Sequence, residues 1–262
     1  MRANPMKDIW ARGGAVVSAW LSIPSPITAE MLGHQGYDVA TLDLQHGMIS
    51  FEQMLHMFQA LSATPAMPMA RLASNDATHI GRVLDAGAYS VICPMINSAK
   101  EAEAFVSACR YYPHGVRSYA PVRGQIYGGP DYFPKANDEI VKLAMVETRA
   151  GFDALDEILA VDGLDGIFIG PNDLAIAFGC PPVSESDHAE VRDAIAHVCE
   201  RTRAAGKVAG ILCSGPQAAL KRVEQGFSFV SAGGDIFMLA QAAKNSVAAF
   251  REGQRVAAAE TV

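Results

Sequence analysis

Val141-Lys-Leu-Ala-Met-Val-Glu147 and Gly166-Ile-Phe-Ile-Gly-Pro-Asn-Asp173 are two short apolar runs that each break into a polar turn, with a helical pattern over 152–160 between them. Apolar runs of this length, without polar alternation, read as buried strands. A strand, a crossover helix and a second strand make the two strands parallel, so both end at the same edge of one sheet. Glu147 and Asp173 therefore arrive at that edge together. Two carboxylates so placed repel and raise each other's pKa unless a cation lies between them. Hard divalent ions want such an oxygen-rich setting and keep positions open for water and substrate. These two runs point to a metal-assisted enzyme.

The unit recurs along the chain. Ala15–Trp20, Val39–Leu44, Met67–Leu72, Tyr89–Pro94, Val141–Glu147, Gly166–Ile169, Val208–Cys213 and Phe227–Ala232 all read as strands, which makes eight. Between them, Ser50-Phe-Glu-Gln53 and Ser98-Ala-Lys-Glu101 have the spacing of capping boxes, and Asp187-His-Ala-Glu190 opens a helix with Val191, Ile195 and Val198 on one face. Gly36, Gly87, Gly163, Gly206 and Gly226 each stand just before the next strand, where a helix C-cap belongs. Alternating strands and helices require a parallel sheet, and eight units close most simply into a single-domain (β/α)8 barrel. An open doubly wound sheet is the alternative, but no G-x-G-x-x-G follows the first strand. Pro113–Pro134, rich in Gly, Pro, Arg and Tyr, reads as one long irregular loop with a functional role.

Composition narrows the function classes. The 262 residues match the roughly 250 of a typical α/β barrel. A net charge of −7 with no Lys/Arg run argues against a nucleic-acid partner, which needs a basic footprint. Cys93, Cys109, Cys180, Cys199 and Cys213 are odd in number and lack a C-x-x-C pair, which disfavours a disulfide framework or zinc site. No apolar run approaches the roughly 18 residues that span a bilayer, and the N-terminus has no signal-type core. The expected setting is the cytoplasm.

In a barrel, chemistry belongs to the carboxyl ends of the strands. Those positions hold Trp20, Asp43, Gln45, His46, Arg71, Glu147, Gly170, Asn172, Asp173 and Leu212. Each has a plainer reading. Asp173 alone is a helix-capping carboxylate, and only its pairing with Glu147 makes it a ligand. His46 alone is structural, but Asp43 three residues earlier is placed to orient its ring and raise its basicity. Arg71 reads either as a rim ion pair or as a fork of donors for an anionic oxygen.

Leu42-Asp-Leu-Gln-His46, Ala70-Arg-Leu-Ala-Ser-Asn-Asp76, Leu84-Asp-Ala-Gly87, Val91-Ile-Cys-Pro-Met95, Val146-Glu-Thr-Arg149 and Phe168-Ile-Gly-Pro-Asn-Asp-Leu174 together resemble the class II, metal-dependent pyruvate aldolases of the HpcH/HpaI (4-hydroxy-2-oxoheptanedioate aldolase) family, in order from about Ala15 to Phe250. The resemblance implies a (β/α)8 barrel assembled as a homo-hexamer with exchanged C-terminal helices. It implies that Glu147 and Asp173 bind one divalent ion (Mg2+, Mn2+ or Co2+). His46 would be the base, acting through a metal-bound water, with Arg71 stabilising the enolate and Asp43 and Asp85 tuning His46. Gly170, Pro171 and Asn172, with Trp20 and Leu212, would form the site for a small 2-oxo acid and its aldehyde partner.

Three positions depart from the family pattern. Gln45 replaces an acid before the His, Met145 replaces a substrate-touching Gln, and Asn172 replaces a small residue before the metal Asp. Met145 offers no strong hydrogen bond and Asn172 adds a polar group, so a hydroxylated donor such as hydroxypyruvate is expected beside pyruvate. Lys142 and Lys207 stand at strand starts rather than ends, which disfavours a Schiff base. The rival reading is a CoA-thioester lyase of the malyl or citramalyl type, for which Arg117 and Arg123 are the loop candidates to meet phosphates. A barrel without activity, used for binding or assembly, is disfavoured by His46, Arg71, Glu147 and Asp173 standing together.

Overall fold

The computed structural model describes residues 1–259. Eight parallel strands close into a barrel in chain order: β1 (Val16–Leu21), β2 (Val39–Asp43), β3 (Met67–Arg71), β4 (Ser90–Cys93), β5 (Val141–Val146), β6 (Gly166–Ile169), β7 (Val208–Ile211) and β8 (Phe229–Gly234), with β8 pairing back on β1. All eight expected strands are present; β2, β3, β5 and β7 end one or two residues early, β4 is a residue shorter at each end, and β1 and β8 are shifted by one or two residues toward the C-terminus. Their residues are almost wholly buried, because helices cover the outer face and side chains fill the inside. Within the barrel Phe168 stacks on Trp20 at 5.6 Å and leans on Phe229 at 5.5 Å. Gly210 on β7 makes this possible, since a Cβ there would stand 2.7 Å from the Phe168 ring and 2.9 Å from Phe229.

The glycines expected to end helices do so: Gly36, Gly87, Gly163, Gly206 and Gly226 all have φ between 70° and 110°. The Ser50–Gln53 capping box forms in both directions. At Ser98 the hydroxyl caps the Glu101 N–H, but Glu101 reaches back one residue further, accepting from the Asn97 N–H at 2.6 Å. The helix expected to open at Asp187 begins at Ala189. The pattern over 152–160 resolves into two short helices, Arg149–Asp153 and Leu155–Leu159.

Pro113–Pro134 corrects the sequence reading. It holds the helix Val122–Gly128 and the start of the helix Tyr132–Glu139. Arg123 donates to the carbonyls of Phe58 and Ala86, both at 2.7 Å, and so ties the segment to the ends of the helices Phe51–Leu61 and Ala77–Asp85. Helices that run antiparallel to the strands end at the strands' amino ends. Within the chain the segment therefore lies opposite to Glu147. The same end is closed by the helix Pro5–Ala11, whose cap Asn4 donates to the carbonyls of Tyr89 and Glu139 just ahead of β4 and β5.

The terminal helix, Asp235–Ala259, starts directly after β8. The Asp235 carboxylate is buried and accepts the backbone N–H groups of Ser22 (2.9 Å) and Ile23 (3.0 Å), which pins the helix start to the turn after β1. Farther along, Leu239, Val247 and Phe250 are more than half exposed, so this part of the helix has no cover among the described residues.

Candidate active site

At the carboxyl ends of the strands a cavity of about 560 Å3 is lined by Trp20, Asp43, His46, Arg71, Asn172 and Leu212 from the sequence reading, together with Ser22, Ser184, Cys213, Ser214, Gly234, Ile236 and Phe237. Its floor is an ion pair set by strand register. Asp43 on β2 is laterally opposite Arg71 on β3. Arg71 Nε donates to Asp43 Oδ1 at 2.9 Å and Nη2 donates to Oδ2, a bidentate fork that leaves both residues about 95% buried. Trp20 Nε1–H donates to Asp43 Oδ2 at 3.1 Å, and its ring lies 5.1 Å from the Arg71 guanidinium. Burial alone would raise the Asp43 pKa; the Arg71 charge and hydrogen bonds outweigh it and hold the carboxyl below its ordinary value.

Asp43 meets His46 differently from the sequence expectation. Its Oδ1 accepts the backbone N–H groups of Gln45 (3.1 Å) and His46 (3.0 Å), so it fixes the turn that carries His46 and makes no hydrogen bond to the ring. The imidazole is exposed at the cavity wall.

Glu147 follows β5 and is 3% exposed. Its Oε1 accepts the Met95 N–H at 2.9 Å, from a residue held at φ 57°. Oε2 lies against Gly170, where a Cβ would stand 2.4 Å from the oxygen. Only glycine leaves the carboxylate this seat. Burial, with a smaller contribution from the neighbouring Asp173 charge, raises the Glu147 pKa from 4.5 to about 7 against the lowering effects of the Met95 N–H and Arg71. Pro171, Asn172 and Asp173 open the helix Pro171–Ala177, where an acid in the first turn suits the positive helix end. Asp173 itself is exposed.

A buried carboxylate with a raised pKa, a second carboxylate near it and no salt-bridge partner among the described residues is a seat that a cation would complete. No cluster of three or more His, Cys, Asp or Glu side chains forms among those residues. Glu147 and Asp173 would thus hold an ion with most of its positions left to water and substrate oxygens, as hard divalent ions accept. The donor set fits the group.

Asp85 is not brought to this cavity. It ends the helix Ala77–Asp85 and accepts from Arg117 Nη2 at 2.7 Å, at the opposite end of the barrel from its own His46. Ser184, Ile236 and Phe237 were missed by sequence reading. Ser184 lies in the unpatterned turn between two helices, and the other two open the terminal helix. No local periodicity marks any of them as rim residues.

A family model described as HpcH/HpaI aldolase/citrate lyase matches residues 17–242. The chain is 42% identical over 245 residues to a hydroxypyruvate/pyruvate aldolase of Rhizorhabdus wittichii, with 94% of this chain and 98% of that one covered. It is 35% identical over 251 residues to a 5-keto-4-deoxy-D-glucarate aldolase of an Enterobacter species, covering 95% and 97%. A crystal structure of an HpcH/HpaI aldolase/citrate lyase family protein from Burkholderia cenocepacia superposes with a TM-score of 0.88 at 29% identity, over 95% of this chain and all of that one. With its closed barrel and with residues 17–242 matched by the family model, this chain belongs to the HpcH/HpaI aldolase/citrate lyase family.

Proposed function

We propose that the chain is a divalent-metal-dependent aldolase that forms the enolate of pyruvate or hydroxypyruvate and adds it reversibly to an aldehyde. The observation that carries this is the placement of two clusters on one rim. Arg71 ends β3 and His46 follows β2 in the cavity wall, and Glu147 follows β5 at the same carboxyl edge of the barrel. An enolate needs a base for the proton and positive charge for the oxygen. His46 supplies the first with a ring that faces the cavity and is not hydrogen-bonded to Asp43. Arg71 supplies the second, with Asp43 and Trp20 preventing it from turning away. Mg2+, Mn2+ or Co2+ held by Glu147 and Asp173 would act as a Lewis acid toward the donor's ketone and carboxylate oxygens. Gly170, Pro171 and Asn172, with Trp20 and Leu212, hold the donor. His46 takes the C3 proton, C3 attacks the aldehyde carbon, and the proton returns to the new hydroxyl oxygen.

The Schiff-base route lacks its lysine. Lys142 pairs with Asp165 at 3.1 Å and Lys207 donates to the Leu164 carbonyl, both at the amino ends of strands. The CoA-lyase alternative loses its phosphate contacts within the chain. Arg117 is committed to Asp85 and Tyr132, and Arg123 to backbone carbonyls, on the far side of the barrel. The names borne by relatives also favour 2-oxo acid aldolase chemistry. The uncovered body of the terminal helix supports its exchange with a neighbouring copy and a homo-hexameric assembly, in which Asp85 would serve a site other than its own chain's. No helix among the described residues is long and apolar enough to cross a membrane, and the five free cysteines suit a reducing cytoplasm.

Proton-to-deuterium exchange at C3 of pyruvate and hydroxypyruvate, followed by NMR in D2O, tests the reading without an aldehyde. Exchange that requires Mn2+ or Mg2+ and is lost with EDTA or Glu147→Gln supports it. No exchange with either acid under any metal refutes it and returns the CoA-thioester lyase to the front.

A further inference from the structure

We infer that Ser184 is a positioning residue that sets donor selection through Asn172, a role that rests on the aldolase reading above. The Ser184 hydroxyl donates to Asn172 Oδ1 at 2.9 Å, and both side chains line the cavity that holds His46 and Arg71. A carbonyl oxygen only accepts, so the hydroxyl must give its proton to this bond. The bond engages the acceptor end of the amide. Nδ2 has no hydrogen-bond partner among the described residues, and its two N–H donors are the end left for a ligand. Asn172 therefore selects for an oxygen with lone pairs. The C3 hydroxyl of hydroxypyruvate offers one where pyruvate has only a methyl group.

Ser184 is held in place from outside the cavity. The next residue, Glu185, accepts from Arg222 Nη2 at 3.2 Å. Arg222 is buried in the helix Pro216–Glu224, and its Nη1 donates to Gln225 at 3.0 Å. Pro181 and Pro182 stiffen the approach to the segment. The pair joins the buried Arg222 to a half-buried Glu185, and it ties the 181–188 turn to the helix Pro216–Glu224. The amide orientation of Asn172 is thereby inherited from a helix that does not touch the donor. A site built to hydrogen-bond a substrate hydroxyl discriminates most strongly when its donors are preoriented.

The test follows C3 exchange of both donors with Mn2+ in the full-length enzyme, comparing wild type, Ser184→Ala, Ser184→Thr, Asn172→Ala and the Ser184→Ala/Asn172→Ala double variant. Ser184→Ala is expected to lower kcat/KM for hydroxypyruvate roughly five- to tenfold more than for pyruvate, the reach of one neutral hydrogen bond, with the difference in KM. Ser184→Thr is expected to restore the ratio, and the double variant to be no more impaired in it than Asn172→Ala. Should the alanine variant fail to fold, Ser184→Cys, with its weaker donor, should give an intermediate drop confined to hydroxypyruvate. Equal losses on both donors, or a loss that adds in full to that of Asn172→Ala, overturn the role of Ser184 alone. Absence of metal-dependent exchange in the wild type overturns this role and the aldolase reading together.

Discussion

Replacing Glu147 by Gln is expected to stabilise the metal-free protein. Glu147 is buried, and its pKa stands at about 7 against an ordinary 4.5. Below pH 4.5 folded and unfolded chains both carry the proton and the group contributes no penalty. Between pH 4.5 and 7 the unfolded chain gives the proton up while the folded chain keeps it, so folding stability falls as pH rises. Above pH 7 the full penalty is present. Two and a half pH units at ~1.4 kcal/mol each amount to about 3 kcal/mol. Gln at this position carries no charge and keeps an oxygen to accept the Met95 N–H. At pH 8 the EDTA-treated variant should therefore unfold on the order of 5–10 °C above EDTA-treated wild type, with the gap closing toward pH 4.5. Added Mn2+ should raise the wild-type transition and leave the variant unmoved, because only the carboxylate binds it. Calorimetric or dichroism melts across pH 4.5–8.5 decide the matter. A variant less stable than metal-free wild type at pH 8, or a gap that does not change with pH, would refute the account of Glu147.

Metal binding carries its own pH signature: with the Glu147 pKa at about 7, Mn2+ affinity by titration calorimetry should weaken about tenfold per unit as pH falls below 7. Affinity that stays flat from pH 7 to 5 would contradict it. Gly170→Ala places a Cβ 2.4 Å from Glu147 Oε2 and should abolish the Mn2+ stabilisation while the barrel still folds, which a melt with and without metal reports. Asp43→Asn leaves the buried Arg71 charge without its counter-ion and is expected to cost about 3–5 kcal/mol in denaturant unfolding, with loss of C3 exchange. A cost under 1 kcal/mol would mean that the pair is not the floor described. A chain ending at residue 240 lacks the uncovered helix body and should run as a monomer by light scattering if that body is an assembly element.

The parts legible in the sequence were those decided locally or by strand order. Eight apolar runs, and glycines whose positive φ is needed where each helix stops, carry their own signal, and so does the position of Glu147 and Asp173 at strand ends. What escaped was lateral. The Asp43 carboxylate serves Arg71 because register places β2 and β3 side by side, and nothing near Asp43 in sequence separates that from a bond to the His46 ring. The density of Gly and Pro in Pro113–Pro134 hid helices that depend on tertiary contacts, such as the fully buried Tyr132. Asp85 was named by resemblance alone, and in the chain it faces Arg117. Ser184 lines the cavity from a turn whose next residue, Glu185, pairs with Arg222, 38 positions after Ser184, a contact no local pattern announces.

The terminal helix has its root in the cavity wall, through Ile236 and Phe237, and most of its length outside the barrel. Asp235 clamps that root to the turn after β1, so a displacement of the far end reaches the wall as a lever turning on a fixed pivot. Whatever seats the far end then also shapes the room in which the aldehyde must stand. Dilution that unseats it would leave the barrel folded and the carboxylates in place but alter acceptor affinity, and specific activity would become a function of enzyme concentration.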